Sequence, residues 1–238
     1  MRINGYLSLL KQVFSKNTFD KLKPLLKRGF KMIKEMLPVN RGRVDDADAV
    51  FYKEKTGRDI TKTELRLLPL LHHMYMTTDP VNGNRINQEE HVILTAMKDA
   101  GFIEFGRARR MVGFYDVKMS KESWNVIVKM LYDTYAAKVK EQPEIKGSYQ
   151  DLVGREIDRD EMTAIFKLCY AVMNGGYIDE NDLTQKVMAA FNRFSKKGLI
   201  YFAPRGPEAE RYNVAITEVM WYAINEVLFE NVVKKEVE

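Results

Sequence analysis

Residues 52–135 and 149–232 align with one another at a constant offset of 97 positions, without a gap. Gly57-Arg58-Asp59-Ile60 falls on Gly154-Arg155-Glu156-Ile157, Glu64 on Glu161 and Gln88 on Gln185. Gly101-Phe102-Ile103-Glu104-Phe105 falls on Gly198-Leu199-Ile200-Tyr201-Phe202. Tyr115, Val117, Trp124, Ile127 and Leu131 recur as Tyr212, Val214, Trp221, Ile224 and Leu228. The period is too long for a solenoid and has the size of a small domain, so the chain reads as a tandem duplication. A residue kept in both copies serves their common fold. A residue present in one copy is free to serve function.

The local signals repeat as well. Each copy opens with a short helix closed by a glycine, Gly57 or Gly154, at a C′ position. Thr61 with Glu64, and Asp158 with Glu161, have the spacing of a capping box for the next helix. That helix carries Leu65, Leu68, Leu71 and Tyr75, or Met162, Ile165, Leu168 and Val172. Polar loops are expected at 77–85 and 174–182, then a second long helix over about 86–99 or 183–197. After Gly101 or Gly198 the apolar period changes from 3.6 to 2, which predicts a β-hairpin. Ser120 or Thr217 caps a final helix that holds the tryptophan. The predicted class is mainly α with small β-hairpins (α+β). The boundaries are a helical segment at 1–43, repeat 1 at 44–138, a linker at 139–148 and repeat 2 at 149–238.

Charge separates the first of these from the rest. Residues 1–43 hold 11 basic and 2 acidic residues, of 38 and 33 in the whole chain. The duplicated body therefore carries a net −4 and the first segment +9. Residues 6–16 and 24–37 read as basic amphipathic helices, the second with Leu25, Leu26, Phe30, Ile33 and Leu37 on one face. Protein contact or self-association through residues 6–37, polyanion binding, and an anionic membrane surface are the three readings of that segment. No apolar run approaches the roughly 20 residues of a membrane span, and no secretory leader pattern opens the chain. One cysteine, Cys169, excludes an internal disulfide and fits a reducing, cytoplasmic setting.

The order of helices, "Lys-x-Gly-Leu-Ile" at 196–200, charged hairpin tip, return strand and Ser/Thr-capped helix resembles a winged-helix domain. Copy two, FNRFSKKGLIYFAPRGPEAERYNVAITEVMWYAI, is similar to the multiple-antibiotic-resistance-regulator type. Copy one, LTAMKDAGFIEFGRARRMVGFYDVKMSKESW, is similar over the same elements. The resemblance covers about 80 residues per copy, and the tandem pair is similar in plan to plasmid replication initiators. It implies two tandem winged-helix-like domains that bind double-stranded DNA in transcription regulation or replication initiation. The alternative is a winged-helix adaptor or structural subunit of a larger assembly. Only about 21 positions separate Ile178 from Gly198. That is room for one helix and one further turn, where the family has two helices.

Two surfaces are nominated. The outward face of the second long helix in repeat 2 carries Gln185, Asn192, Arg193, Lys196 and Lys197. Arg and Lys suit phosphates or guanine, and Asn and Gln suit adenine. The same face of repeat 1 reads Gln88, Thr95, Ala96, Asp99 and Ala100. The second surface is the wing: Arg107, Arg109 and Arg110 in repeat 1, Arg205 and Arg211 in repeat 2. His72, His73 and His91 read as packing residues, since their counterparts are Cys169, Tyr170 and Met188. Asp45, Asp46 and Asp48 read as a helix start, and Arg58 and Arg155 as structural ion pairs. No phosphate loop, nucleophile elbow or Cys/His ligand spacing is present, so no catalytic residue, metal or cofactor is expected, and the chain reads as non-enzymatic.

Overall fold

The structure is a computed structural model and describes residues 42–78, 80–108, 111–205 and 210–237. The class is mixed α+β, with eight α-helices and two three-stranded antiparallel sheets among the described residues. Two compact units are present. One contains Ala137–Met220, and the other joins Val39–Ala136 to Trp221–Glu238. Residues 1–41, with the two basic amphipathic helices predicted there, lie outside the described residues. No helix among the described residues is long and apolar enough to cross a membrane.

In the second of these units, α1 (Asp46–Thr56) starts where Asp45 Oδ1 accepts from the Asp48 amide at 2.8 Å. It stops at Gly57, whose φ of 71° is the left-handed conformation that an L side chain resists. Asp48 does not face a cation site; it pairs with Lys129 at 3.0 Å. Helix α2 (Lys62–Thr77) opens on the predicted capping box, with Thr61 and Glu64 bonding each other's backbone amide. Pro69 lies inside it and has no N–H for the Leu65 carbonyl. The Tyr135 hydroxyl donates to that carbonyl instead, at 3.3 Å. Strand β1 (Val81–Asn82), a 3₁₀ turn (Gly83–Arg85), α3 (Gln88–Asp99), the hairpin β2 (Glu104–Arg107) and β3 (Phe114–Lys118), and α4 (Lys121–Thr134) complete the order.

The other unit repeats that order as α5 (Tyr149–Val153), α6 (Arg159–Met173), β4 (Tyr177–Asp179), a 3₁₀ turn (Glu180–Asp182), α7 (Gln185–Lys196), β5 (Ile200–Pro204) and β6 (Arg211–Ile216). The last helix, α8 (Glu218–Val237), starts here and continues into the unit just described. The sheets are ordered β1-β3-β2 and β4-β6-β5. Val81 pairs with Tyr115 and Ile178 with Tyr212; Glu104 pairs with Lys118 and Tyr201 with Ala215. Each second pair lies 97 positions after the first. Strands β1 and β4 fall in the segments expected to be loops, because two or three residues are too few to show a period of 2. Residues 137–139 add a parallel bridge from Lys138 to Ile216, so the expected linker begins as part of this sheet.

Trp124 and Trp221 lie in the same compact unit. Trp221 and Asn225 of α8 pack with α2 and α4. Trp124 Nε1 donates to the Asn225 carbonyl at 2.9 Å, and Trp221 Nε1 donates to the Val128 carbonyl at 2.9 Å. Trp221 is the counterpart of Trp124 at the 97-residue offset, and Asn225 that of Val128, so the two contacts are reciprocal in sequence position. His72 stacks on Trp124 with centroids 4.8 Å apart and lies 6.0 Å from Trp221. All three side chains are buried.

Candidate nucleic-acid interface

Helix α7 is strongly two-sided. Val187, Ala190, Phe191 and Phe194 are buried, while Gln185, Ala189, Asn192 and Lys196 form an exposed stripe at i, i+4, i+7 and i+11. Thr184 Oγ1 caps the helix by accepting from the Val187 amide at 3.3 Å. Positions 185–197 hold no acidic residue and three lysines, Lys186, Lys196 and Lys197. Among the described residues, the side chains of Gln185, Asn192 and Lys196 have no hydrogen-bond or ion-pair partner. Lys186 sits beside Asp160 at 2.7 Å.

Two of the five nominated α7 residues are turned to structural work. Arg193 Nη2 donates to Glu161 Oε2 at 2.6 Å, and Lys197 Nζ donates to the Leu152 carbonyl at 3.1 Å. Glu161 is 1% exposed. It also accepts from the Tyr149 hydroxyl at 3.1 Å, and Arg155 Nη1 stands at 3.8 Å. Burial and the carboxylate push the Tyr149 pKa up, so its hydroxyl stays a donor. A buried carboxylate needs such partners, because desolvation costs several kcal/mol per ion. The sequence spacing of Asp158 and Glu161 gives only half of a capping box. Asp158 Oδ1 accepts from the Glu161 amide at 2.8 Å, but the Glu161 carboxylate serves Tyr149 and Arg193 instead of the N-cap amide. The counterpart cluster is Tyr52, Arg58 and Glu64, with Arg58 Nη2 2.8 Å from Glu64 Oε1. It has no equivalent of Arg193, since Ala96 stands there.

The wing residues divide in the same way. Arg211 Nε donates to Asp179 Oδ1 at 2.6 Å. The Arg205 and Arg211 guanidiniums lie 5.7 and 5.2 Å from the Tyr177 ring centroid, within cation–π range. Arg205 is exposed with its backbone amide bonded to the Arg211 carbonyl at 2.8 Å. Tyr177 and Asp179 were not legible as site residues. Their role depends on β4 pairing Asp179 with Arg211, and β4 itself had no sequence signal. In the other hairpin, Arg107 is exposed and has no ion-pair partner among the described residues. Arg109 and Arg110 lie outside the described residues. Arg107 lines an open groove of 1450 Å³ along β2, whose charges are mixed: Lys98 and Lys118 against Glu104 and Asp116.

The face of α3 that corresponds to the α7 stripe holds Gln88, Val92, Thr95 and Asp99. It carries no cation, Val92 is 62% exposed, and Glu89 and Glu90 flank its start. The histidines take three separate places. His72 is buried; His73 is exposed on α2; His91 is exposed on α3, edge-on to Phe105 and Tyr115 at 5.5 Å. No cluster of His, Cys, Asp or Glu able to hold a metal occurs among the described residues. Comparison with protein-family models, with curated proteins and with solved structures gives no match for this chain.

Proposed function

We propose that this chain is a non-enzymatic, double-stranded DNA-binding protein built on two tandem winged-helix-like repeats, acting in transcription regulation or replication initiation. The observation that carries the reading is the α7 stripe. Gln185, Asn192 and Lys196 are exposed, unpaired among the described residues, and free of neighbouring acid on their own helix. The fold gives these side chains no protein partner among the described residues, whereas phosphates accept hydrogen bonds and base edges both accept and donate them. The element order supports it. Helix α6, β4, a 3₁₀ turn, α7 and the hairpin β5–β6 place a capped helix next to a basic hairpin, with the 3₁₀ turn where a winged helix has its second helix. Arg205 beside Tyr177 and Arg107 on the other hairpin supply phosphate contacts.

An adaptor role is the second reading, favoured by the α3 face with its exposed Val92 and lack of cations. The deciding measurement is an anisotropy titration of the full chain with a labelled 30-base-pair duplex at about 50 mM salt. Non-specific binders reach Kd near 10⁻⁴–10⁻⁶ M at physiological salt and bind tighter below it. Lys196→Ala is expected to lower affinity and reduce the salt slope by about 1. Arg107→Ala is expected to do the same on every sequence tested. Absence of binding to any duplex transfers the function to the adaptor.

A further inference from the structure

We infer that α7 reads A·T base pairs in the major groove, through Gln185 and Asn192. The inference rests on the DNA-binding reading above and goes beyond it by naming the sequence class. Its basis is which side chains the fold leaves free. Guanine is most often read by an arginine that bonds O6 and N7 together. The single arginine of α7, Arg193, is held by the buried Glu161 at 2.6 Å. Lys197 is held by the Leu152 carbonyl. What remains on the outward stripe is two amides, one methyl and one lysine: Gln185, Asn192, Ala189 and Lys196.

Each of the first three matches an A·T pair. An amide side chain donates to adenine N7 and accepts from the adenine N6 amino group, a pattern that no other base edge presents. Ala189 presents a methyl, which fits the thymine C5-methyl. Lys196, eleven positions from Gln185 at the far end of the stripe, suits a phosphate. Gln185 and Asn192 are seven residues apart, so about 10 Å along the helix at 1.5 Å per residue. That is roughly three base-pair steps of 3.4 Å, and Ala189 lies between them. The stripe therefore matches two adenines about three steps apart with a thymine between.

The α3 stripe offers a contrast within the same chain. It keeps the glutamine, as Gln88, but has Val92, Thr95 and Asp99 in place of Ala189, Asn192 and Lys196. The carboxylate of Asp99 repels phosphate. The sequence preference is accordingly assigned to α7 alone.

The test is competitive anisotropy of the full chain with two duplexes of equal length, one A·T-rich in mixed order and one G·C-rich. A third duplex carries 7-deazaadenine at every adenine of the first. Removing N7 abolishes the amide pairing and leaves the minor groove and the backbone charge intact. The A·T duplex is expected to bind at least about fivefold tighter than the G·C duplex, the lower end of one bidentate pair. The 7-deaza duplex is expected to lose that preference and retain the G·C-level affinity, and Asn192→Ala with the natural duplex is expected to lose the share of the preference that Gln185 does not carry. Asn192 is exposed, so its replacement leaves the core untouched, and the 7-deaza arm uses the unmodified protein. Equal affinity for the A·T and G·C duplexes overturns this inference and leaves DNA binding standing. A preference that survives both 7-deazaadenine and Asn192→Ala also overturns it, because the groove shape is then being read. No binding to any of the three duplexes overturns the DNA reading itself.

Discussion

Replacing Trp221 with alanine is expected to destabilise the protein by about 3–5 kcal/mol, the range for deleting a fully buried tryptophan. Its side chain is 0% exposed. It lies 6.0 Å from His72 and 6.2 Å from Tyr132, ring centre to ring centre, and donates to the Val128 carbonyl. The loss combines transfer of a large ring with the cavity it leaves. Set against a typical total of 5–15 kcal/mol, it is a large fraction of the stability. Trp124→Ala is expected to cost a similar amount, because its contacts are the reciprocal ones. Trp221→Phe keeps most of the packing and loses one hydrogen bond, for about 1 kcal/mol. Chemical denaturation followed by circular dichroism measures all three. A Trp221→Ala loss below 1 kcal/mol would remove α8 from the core of that unit.

Acidification from pH 7 to pH 4 is expected to remove about 3 kcal/mol of stability through His72 alone. Asn225 Nδ2 donates to the Trp221 carbonyl at 2.9 Å, so its Oδ1 accepts, and His72 Nε2 carries the proton of the 2.7 Å bond between them. His72 Nδ1 is buried without a hydrogen-bond partner among the described residues. A second proton there would be an unpaired buried charge, and burial lowers the His72 pKa to about 4. The unfolded chain binds that proton near pH 6.5. Between pH 6.5 and 4 the unfolded state therefore holds more protons, and stability falls with pH. Below 4 the loss from this group is complete. Asp151 and Asp158, held below the ordinary carboxylate range by hydrogen bonds at helix starts, add their losses at lower pH still. Asp48 is shifted the other way by burial, so its protonation works against the loss. The contribution of His72 is the difference between wild type and His72→Phe, in which the carboxylates cancel. A His72→Phe protein that loses as much stability between pH 7 and pH 4 as wild type would show that His72 is not the titrating group.

The elements that were legible in the sequence are those whose partners are near in the chain. Asp45 with Asp48 and Thr61 with Glu64 each close a helix start over three residues. Gly57 and Gly154 end helices because their own backbone must turn left-handed. The hairpins and the final helices followed from period and capping, and the strand registers keep the 97-residue offset visible in the sequence. The short strands β1 and β4 were not legible, since they exist only by pairing with β3 and β6.

Of the proposed interface, Gln185, Asn192 and Lys196 were found from helical spacing, because spacing alone decides which side of α7 faces outward. The same spacing put Arg193 beside them, and the structure adds its ion pair with Glu161 at 2.6 Å. Arg193 is half-exposed, and its direction is chosen by Glu161, 32 positions earlier. The sequence by itself determined the caps and the two-sided character of α7, both properties of residues within a few turns of one another. Only the tertiary structure decided that Arg193 bonds Glu161 and Lys197 the Leu152 carbonyl, that Tyr177 braces two arginines, and that Trp221 shares a core with Trp124 and His72. Those choices are made by desolvation: each buried donor or acceptor takes the partner that packing brings to it, at a sequence distance that no local pattern records.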